Sequence, residues 1–286
     1  MSKILVPVDH TEQTLQAVRF ALSYAGEGDE LTLLHVIPPF PSKNILVRIG
    51  DKTIREYQLE DADEELAPVK QLIADAKVPC ALKIEFGEIP NVICQYANDG
   101  YDLIIMGTHG YGRVSGFLMQ SVSYPTIHDA KIPVFLISEN TDAARFPWRK
   151  VLIAVDGSDH AKEAVLQAIQ LSRNLDVEFS LLTVVSPPVV HPEMIGTAWA
   201  TNETLEEWGK ATLKPYEALM QEKNLRFESK VVIGDPASVI RQTAENEADL
   251  LVLGHRGHGA IAGTLMGSVT FKLIHRAKVP LLIVKK

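Results

Sequence analysis

Lys3-Ile-Leu-Val-Pro-Val-Asp9 returns 147 residues further along the chain as Lys150-Val-Leu-Ile-Ala-Val-Asp156. Three other segments return at the same offset of 147: Phe86-Gly-Glu88 as Ile233-Gly-Asp235, Asp102–Gly110 as Asp249–Gly257, and Ala130–Ile137 as Ala277–Val284. Four landmarks at one spacing indicate an internal repeat. We therefore predict two copies of one domain, residues 1–140 and 148–286, joined through the polar stretch Ser138–Pro147.

Each copy alternates short apolar runs with segments of helical periodicity. In the first copy the runs are Ile4–Val8, Leu31–Ile37, Leu82–Phe86, Leu103–Met106 and Val134–Ile137, and the helical segments are Thr11–Ala25, Ile54–Ala76, Ile89–Asn98 and Ser121–Asp129. Apolar runs without two-residue alternation are typical of strands buried on both faces of a parallel sheet. The sequence predicts two tandem α/β domains, each a doubly wound, open parallel sheet of five strands. Pro7 counts against a central position for the first strand, because proline cannot donate to a neighbouring strand.

Composition limits the classes of function. The 286 residues include 28 Lys+Arg and 36 Asp+Glu, a net charge of −8 that argues against binding to nucleic acid or to anionic membranes. Residues 1–147 carry 12 basic and 20 acidic side chains, whereas the remainder carries 16 of each. No apolar run is long enough to span a bilayer, and the first strand begins too early for a signal peptide. With two cysteines, Cys80 and Cys94, too few for a disulfide framework, we expect a cytoplasmic protein.

The segment after the fourth strand of the second copy is rich in glycine. It reads Gly254-His-Arg-Gly257-His-Gly259-Ala-Ile-Ala-Gly263-Thr-Leu-Met-Gly267-Ser268-Val269-Thr270. Glycines let backbone amides turn towards a ligand, and a helix beginning at Ser268 would add free amides and a positive dipole end. Ser268 and Thr270 add hydroxyl donors. Such a loop suits a polyphosphate, with a ligand-free glycine turn as the alternative.

This loop resembles the G-x2-G-x9-G-[S/T] signature of ATP-binding universal stress proteins. The opening Val155-Asp-Gly-Ser158, the ending Lys278–Val284 and the five-strand order are also similar to that family, and the similarity covers both copies. Overall the chain resembles a tandem universal stress protein. The resemblance implies a Rossmann-like fold of the adenine nucleotide alpha hydrolase type. It also implies ATP accompanied by Mg²⁺ or Mn²⁺, and a homodimer or a paired two-domain protomer joined through the last strands, Val134–Ile137 and Leu281–Val284.

The resemblance also implies roles for individual residues of the second copy. Asp156 would lie beside the adenosine, and Val184 would offer backbone atoms to the adenine edge. Gly254 would border the ribose and phosphates, and the phosphates would be held by Gly257, Gly267, Ser268, Val269 and Thr270. For Asp156 the residues alone also allow a helix N-cap or turn role.

The first copy departs from this pattern. Gln120 stands where the signature has its third glycine, and if that position needs a positive φ, a side chain there costs about 1–2 kcal/mol. Pro125 removes an amide donor from the following helix, and Asp9-His10-Thr11 replaces Asp-Gly-Ser. We therefore predict that the second copy holds the nucleotide and that the first copy has a degenerate loop.

No catalytic constellation is evident in the sequence. A Walker lysine and a Gly-x-Ser-x-Gly elbow are both missing, and His255, His258 and His109 lack the further ligands of a zinc site. Arg256 and His258 are candidates to neutralise a γ-phosphate. The favoured function is a nucleotide-binding stress sensor or regulator with an unknown protein partner. A slow ATPase and a nucleotide-free interaction scaffold remain the alternatives.

Overall fold

The computed structural model describes residues 1–39, 51–108, 122–138, 141, 146–187, 201–258, 266–274 and 276–285. The chain divides into two compact units, Met1–Phe146 and Pro147–Lys286. No helix within these described ranges is both long enough and apolar enough to cross a membrane.

The first unit follows the predicted alternation of strands and helices. Its elements are β1 (Lys3–Pro7), α1 (Glu12–Tyr24), β2 (Glu30–Ile37), α2 (Asp51–Glu65), α3 (Ala67–Ala74), β3 (Cys80–Phe86), α4 (Ile89–Ala97), β4 (Leu103–Gly107), α5 (Ser123–Asp129) and β5 (Val134–Ile137). All strands are parallel, in the order β3-β2-β1-β4-β5. Because β2 and β4 lie on opposite sides of β1, the winding direction reverses between β1 and β4.

The second unit repeats this order. Its elements are β6 (Lys150–Ala154), α6 (Asp159–Leu171), β7 (Glu178–Val185), α7 (Asn202–Glu222), β8 (Phe227–Ile233), α8 (Pro236–Glu247), β9 (Leu250–Gly254), α9 (Ser268–Ile274) and β10 (Leu281–Val284). The parallel order is β8-β7-β6-β9-β10. The predicted fold, an open parallel sheet in each of two α/β units, is confirmed.

The strands form the core, as their uninterrupted apolar runs predict. The side chains of Leu103–Met106 and of Leu250–Leu253 are at most 4% exposed, which requires cover on both faces of the sheet. Helices begin at the polar residues that follow the first strand of each unit. Thr11 caps α1 by accepting from the amide of Thr14, and Ser158 caps α6 by accepting from the amide of Ala161.

Pro7 lies in a central strand, at its last residue. The backbone amide of Val8 donates to the carbonyl of Leu34 in β2 (2.9 Å), so the preceding residue, Pro7, faces β4, because alternate residues of a parallel strand face alternate neighbours. The pairing of β1 with β4 ends at Leu5, whereas the pairing of β6 with β9 continues to Ala154, the counterpart of Pro7. The sheet tolerates Pro7 because the ladder has stopped before it.

The long helix predicted at Ile54–Ala76 is two helices. The chain leaves the helical conformation at Leu66 (φ −87°, ψ 2°), two residues before Pro68 in the first turn of α3. In the second unit the corresponding Pro215 lies inside the continuous 21-residue helix α7. The same proline therefore accompanies a break in one unit and not in the other.

Candidate functional site

The carboxyl ends of β6, β7 and β9 meet where the winding of the second unit reverses, and a cavity of about 430 Å³ opens there. Open α/β sheets bind ligands at this position. All eight residues predicted to bind nucleotide line this one cavity: Asp156, Val184, Gly254, Gly257, Gly267, Ser268, Val269 and Thr270. The structure thus brings together residues that are up to 114 positions apart in the sequence.

The cavity wall differs in chemistry between its two sides. On the β7 side and against α8 the lining is mainly apolar, with Leu182, Val184, Pro236 and Ile240, and Ser186 lies just after the end of β7. On the β9 side it is polar, with Arg256, Gly257, His258, Gly267, Ser268 and Thr270. An apolar slot beside a cluster of polar groups is typical of sites for small molecules that have an apolar part and a charged part.

The main chain of Val184 faces the cavity. The backbone amide of Val155 donates to the carbonyl of Leu182 (2.9 Å), and the amide of Gly234 donates to the carbonyl of Val185 (3.0 Å). Because alternate residues face alternate neighbours, Val184 shares the β6-facing side with Leu182. The paired part of β6 ends at Ala154, so the backbone groups of Val184 extend past it towards the cavity.

Asp156 connects the end of β6 with the glycine-rich loop. Its Oδ1 accepts from the backbone amide of Ser158 (3.0 Å), and its Oδ2 accepts from the backbone amide of His258 (2.8 Å). The sequence allowed Asp156 to be either a helix N-cap or a turn residue. The N-cap of α6 is Ser158, so Asp156 is a turn residue. That turn is compatible with the position of Asp156 on the cavity wall.

Two glycines of the signature are required by close packing. A Cβ on Gly254 would lie 2.8 Å from backbone and side-chain carbons of His160, and a Cβ on Gly257 would overlap Oδ2 of Asp156. In the first unit a Cβ on Gly107 would similarly lie 3.0 Å from Cβ of Gln13. The first glycine therefore serves helix–strand packing in both units, and the second makes room for the contact between Asp156 and the loop.

Gly267 has no such constraint. Its φ is not positive, and a Cβ would lie 3.4 Å from Cα of Arg256, an ordinary van der Waals contact. The strain that the sequence analysis attached to a positive φ at this position does not arise at Gly267. Its backbone amide donates to the carbonyl of His255 (3.1 Å), so any effect of glutamine here must come from the length of its side chain.

At this site the glycine with a positive φ is Gly157. The sequence did not mark it as a site residue. Its φ is +84°, and a Cβ would lie 3.3 Å from Nε2 of His258. The Asp-Gly-Ser sequence at a strand end was the available signal, since glycine after aspartate is frequent in turns with positive φ. The ring of His258 covers this turn from the loop side.

The start of α9 offers fewer free hydrogen-bond donors than the sequence predicts. The hydroxyl of Thr270 donates to the carbonyl of Gly254 (3.0 Å) and the residue is buried, so its proton is already used. Ser268 is exposed and Val269 is half-buried. The helix α9 has only seven residues. Its free backbone amides therefore act together with the glycine-rich loop.

Tyr216 supports the turn after β6 from the side of α7. Its hydroxyl donates to the carbonyl of Ser158 (3.5 Å). Burial, together with the nearby carboxylate of Asp156, raises the pKa of Tyr216 to about 12. The phenol therefore stays neutral at physiological pH. Within the described residues no cluster of three or more His, Cys, Asp or Glu side chains could hold a metal ion.

The corresponding place in the first unit is nearly closed. Its cavity measures about 40 Å³, and Thr14 stands there in place of the smaller Ala161. Asp9 is buried, and its Oδ1 accepts from the hydroxyls of Thr11 and Thr14 (2.5 Å each). Most of the predicted degenerate loop, Gln120 included, lies outside the described residues.

Comparison with known proteins gives a family to this fold and site. The family model described as the universal stress protein family matches residues 1–138 and 147–285. A universal stress protein of Mycolicibacterium smegmatis is 27% identical over 295 aligned positions, covering 99% of this chain and 96% of that protein. One of Methanocaldococcus jannaschii is 33% identical over 141 positions, covering 49% of this chain and 83% of that protein.

A solved universal stress protein from Archaeoglobus fulgidus has the same fold. It superposes with a TM-score of 0.74 at 22% identity and covers 100% of this chain and 96% of that chain. The chain, with two matched domains, belongs to the universal stress protein family.

Proposed function

We propose that the second unit binds ATP, or another adenine nucleotide, and that the protein acts as a nucleotide-dependent sensor or regulator in the response to stress. One observation carries this proposal. The eight residues matching the nucleotide-binding pattern of the family line a single cavity at the reversal of winding. A volume of about 430 Å³ lies within the range of small-molecule sites.

The two sides of the cavity suggest the orientation of the nucleotide. The adenine would lie in the apolar slot beside Val184, and the ribose would lie near Asp156 at the end of the central strand. The phosphates would then meet the loop at Gly254, Gly257 and Gly267 and the amides of Ser268, Val269 and Thr270. Adjacent strands are about 4.8 Å apart, so a nucleotide that extends from the β7 side to the β9 side crosses roughly 10 Å, a span it can cover.

A divalent cation fits this site as a companion of the phosphates. Among the described lining residues, the carboxylate is Asp156, and both of its oxygens already accept backbone amides. Mg²⁺ retains several waters and is commonly held through substrate phosphates. Mg²⁺ or Mn²⁺ would therefore enter with ATP, bound by phosphate oxygens and water, and would neutralise part of the phosphate charge.

The stoichiometry of binding is the direct test. Calorimetric titration of the full chain with ATP and Mg²⁺ should give one nucleotide per chain, because Asp9 is engaged by Thr11 and Thr14 and its cavity is small. Two tight, equivalent sites would contradict the assignment to the second unit. Heating the purified protein and finding no released nucleotide, together with no binding in the titration, would favour the nucleotide-free scaffold.

Variants at Gly267 separate strain from occlusion. Gly267→Ala should bind ATP nearly as well as the unaltered protein, because a Cβ there meets only ordinary contacts. Gly267→Gln, which copies Gln120, should weaken binding because the longer side chain extends into the phosphate region. Equal binding by both variants would refute this account of the loop.

The remaining alternatives have their own measurements. Turnover of ATP with and without Mg²⁺, with Gly267→Gln as the control, distinguishes a slow ATPase from a binding protein. A cytoplasmic location and an association of β5 with β10, within one chain or between two chains, also remain proposals. Sedimentation at several concentrations would give the number of chains per particle.

A further inference from the structure

Arg256 is held in place by the backbone on either side of it. The amide of His255 donates to the carbonyl of Val284 (2.8 Å), and the carbonyl of His255 accepts from the amide of Gly267 (3.1 Å). On the other side, the amide of His258 donates to Asp156 (2.8 Å). The backbone on both sides of Arg256 is thus fixed, at His255 to the sheet and the start of α9, and at His258 to the end of β6.

Arg256 lines the cavity, and its guanidinium has no hydrogen-bond or ion-pair partner among the residues that the structure describes. Its Nε is buried and makes no hydrogen bond, and no carboxylate of the described residues forms an ion pair with it. By contrast, Arg226 and Arg241 are paired with Asp176 and Glu245. A guanidinium is always charged, and leaving a buried donor of a charged group unpaired is unfavourable.

The carboxylate of Asp156 does not neutralise the charge of Arg256. Asp156 already accepts one backbone amide on each of its two oxygens. The charge of Arg256 is therefore available to an anionic ligand, and planar guanidinium groups bind phosphate through two parallel hydrogen bonds. Its chemistry thus calls for an anion.

The length of the side chain decides which phosphate it meets. The loop amides lie at the backbone, whereas the guanidinium lies at the far end of a three-carbon stem. A phosphate on the amides would be the one next to the ribose, and the guanidinium would meet the phosphates beyond it. We infer that Arg256 makes the second unit selective for nucleoside triphosphates over nucleoside monophosphates, an inference that rests on the proposed nucleotide site.

The test compares ATP, AMP and adenosine by calorimetry on the full chain. The unaltered protein should bind ATP more tightly than AMP. Arg256→Met removes the charge with similar bulk, and it should weaken ATP binding by about 10- to 100-fold, the effect of losing a hydrogen-bonded charge. AMP and adenosine should bind within about twofold of the unaltered protein. Arg256→Lys should recover part of the loss, because it keeps the charge without the planar fork.

Two controls keep the result specific. Arg226→Met makes the same chemical change at an exposed ion pair away from the cavity, and it should leave all three affinities unchanged. The thermal midpoint of ligand-free Arg256→Met should equal or exceed that of the unaltered protein, since an unpaired buried donor is removed. A structural role would instead lower that midpoint and weaken AMP together with ATP.

The outcomes distinguish the inference from the proposed function. If the unaltered protein binds ATP and AMP equally, or if Arg256→Met leaves the difference between them intact, the selectivity of Arg256 is refuted and the nucleotide site stands. If Arg256→Met weakens AMP as much as ATP, the inference is likewise refuted. If the unaltered protein binds none of the three ligands, both fail.

Discussion

The two units place an aspartate at the same point of the same fold, and the two carboxylates do different things. Asp9 is 8% exposed and is held by the hydroxyls of Thr11 and Thr14. Asp156 is exposed and holds the amide of His258 in the glycine-rich loop. The residue that replaces Thr14 is Ala161, which has no hydroxyl to offer.

The comparison shows how a repeated fold acquires two different sites. The strand order and the aspartate are common to both units, but short side chains in the next turn decide what the carboxylate contacts. His10 stands where Gly157 has a φ of +84°, and its ring lies 3.5 Å from a carboxylate oxygen of Glu65. The turn of the first unit is thus closed by side chains, whereas that of the second is left open to the loop.

The largest expected effect is at Gly257. Gly257→Ala places a methyl group on Oδ2 of Asp156, so the carboxylate or the loop must shift and the contact between Asp156 and the amide of His258 is disturbed. We expect ATP affinity measured by calorimetry to fall about 30- to 100-fold, or roughly 2–3 kcal/mol. Gly110→Ala, at the matching position of the first unit, should leave ATP binding unchanged. Equal losses from the two variants would show that the units contribute equally.

A smaller effect is expected at Thr14. Thr14→Val keeps the shape of the side chain and removes the hydroxyl that donates to buried Asp9. The first unit should lose about 1–2 kcal/mol of unfolding free energy, measured by urea unfolding with hydrogen exchange in β1 and β2 as the readout. Thr14→Ser keeps the donor and should lose less. If valine and serine have the same effect, the hydroxyl is not what holds Asp9.

Much of the fold was predictable because buried strands leave uninterrupted apolar runs. The predicted Val134–Ile137 matches β5, and Leu103–Met106 differs from β4 by one residue. The break at Leu66 was not predictable from Pro68, because Pro215 lies within an unbroken helix. The proline alone therefore does not decide whether the helix breaks.

The candidate site was only partly predictable. The family pattern gave the lining residues, but not the physical reasons for its glycines. The contact between Asp156 and His258 joins residues 102 positions apart, and no local pattern signals it. The unpaired Nε of Arg256 likewise follows from what surrounds it in the fold.

The smallest effect concerns the acid stability of the second unit. The ammonium of Lys230 donates to Glu228 (3.0 Å) and holds the pKa of Glu228 below its ordinary value of 4.5, with a further hydrogen bond from Ser180. A lowered pKa means that this stabilisation is present above pH 4.5 and is lost as the pH falls through the lowered value.

Glu228→Gln should therefore flatten the acid side of the stability curve of the second unit. The change should be about 0.5 kcal/mol, because the pair is partly exposed. Urea unfolding between pH 3 and 7, roughly the range over which carboxyl groups titrate, measures it. The first unit has Ala81 at this position, so its own transition serves as the internal reference. A variant as acid-sensitive as the unaltered protein would exclude a role for this carboxylate.

The proline at the end of β1 has a consequence for the motion of the first unit. With no amide on Pro7 and no pairing of β1 with β4 beyond Leu5, the carbonyl of Ile105 receives no hydrogen bond from Pro7. Fewer hydrogen bonds therefore join β1 to β4 than join β6 to β9 at the matching position. We therefore expect the backbone amides at this end of β1 and β4 to exchange with solvent faster than those of the second unit, where Ala154 continues the pairing.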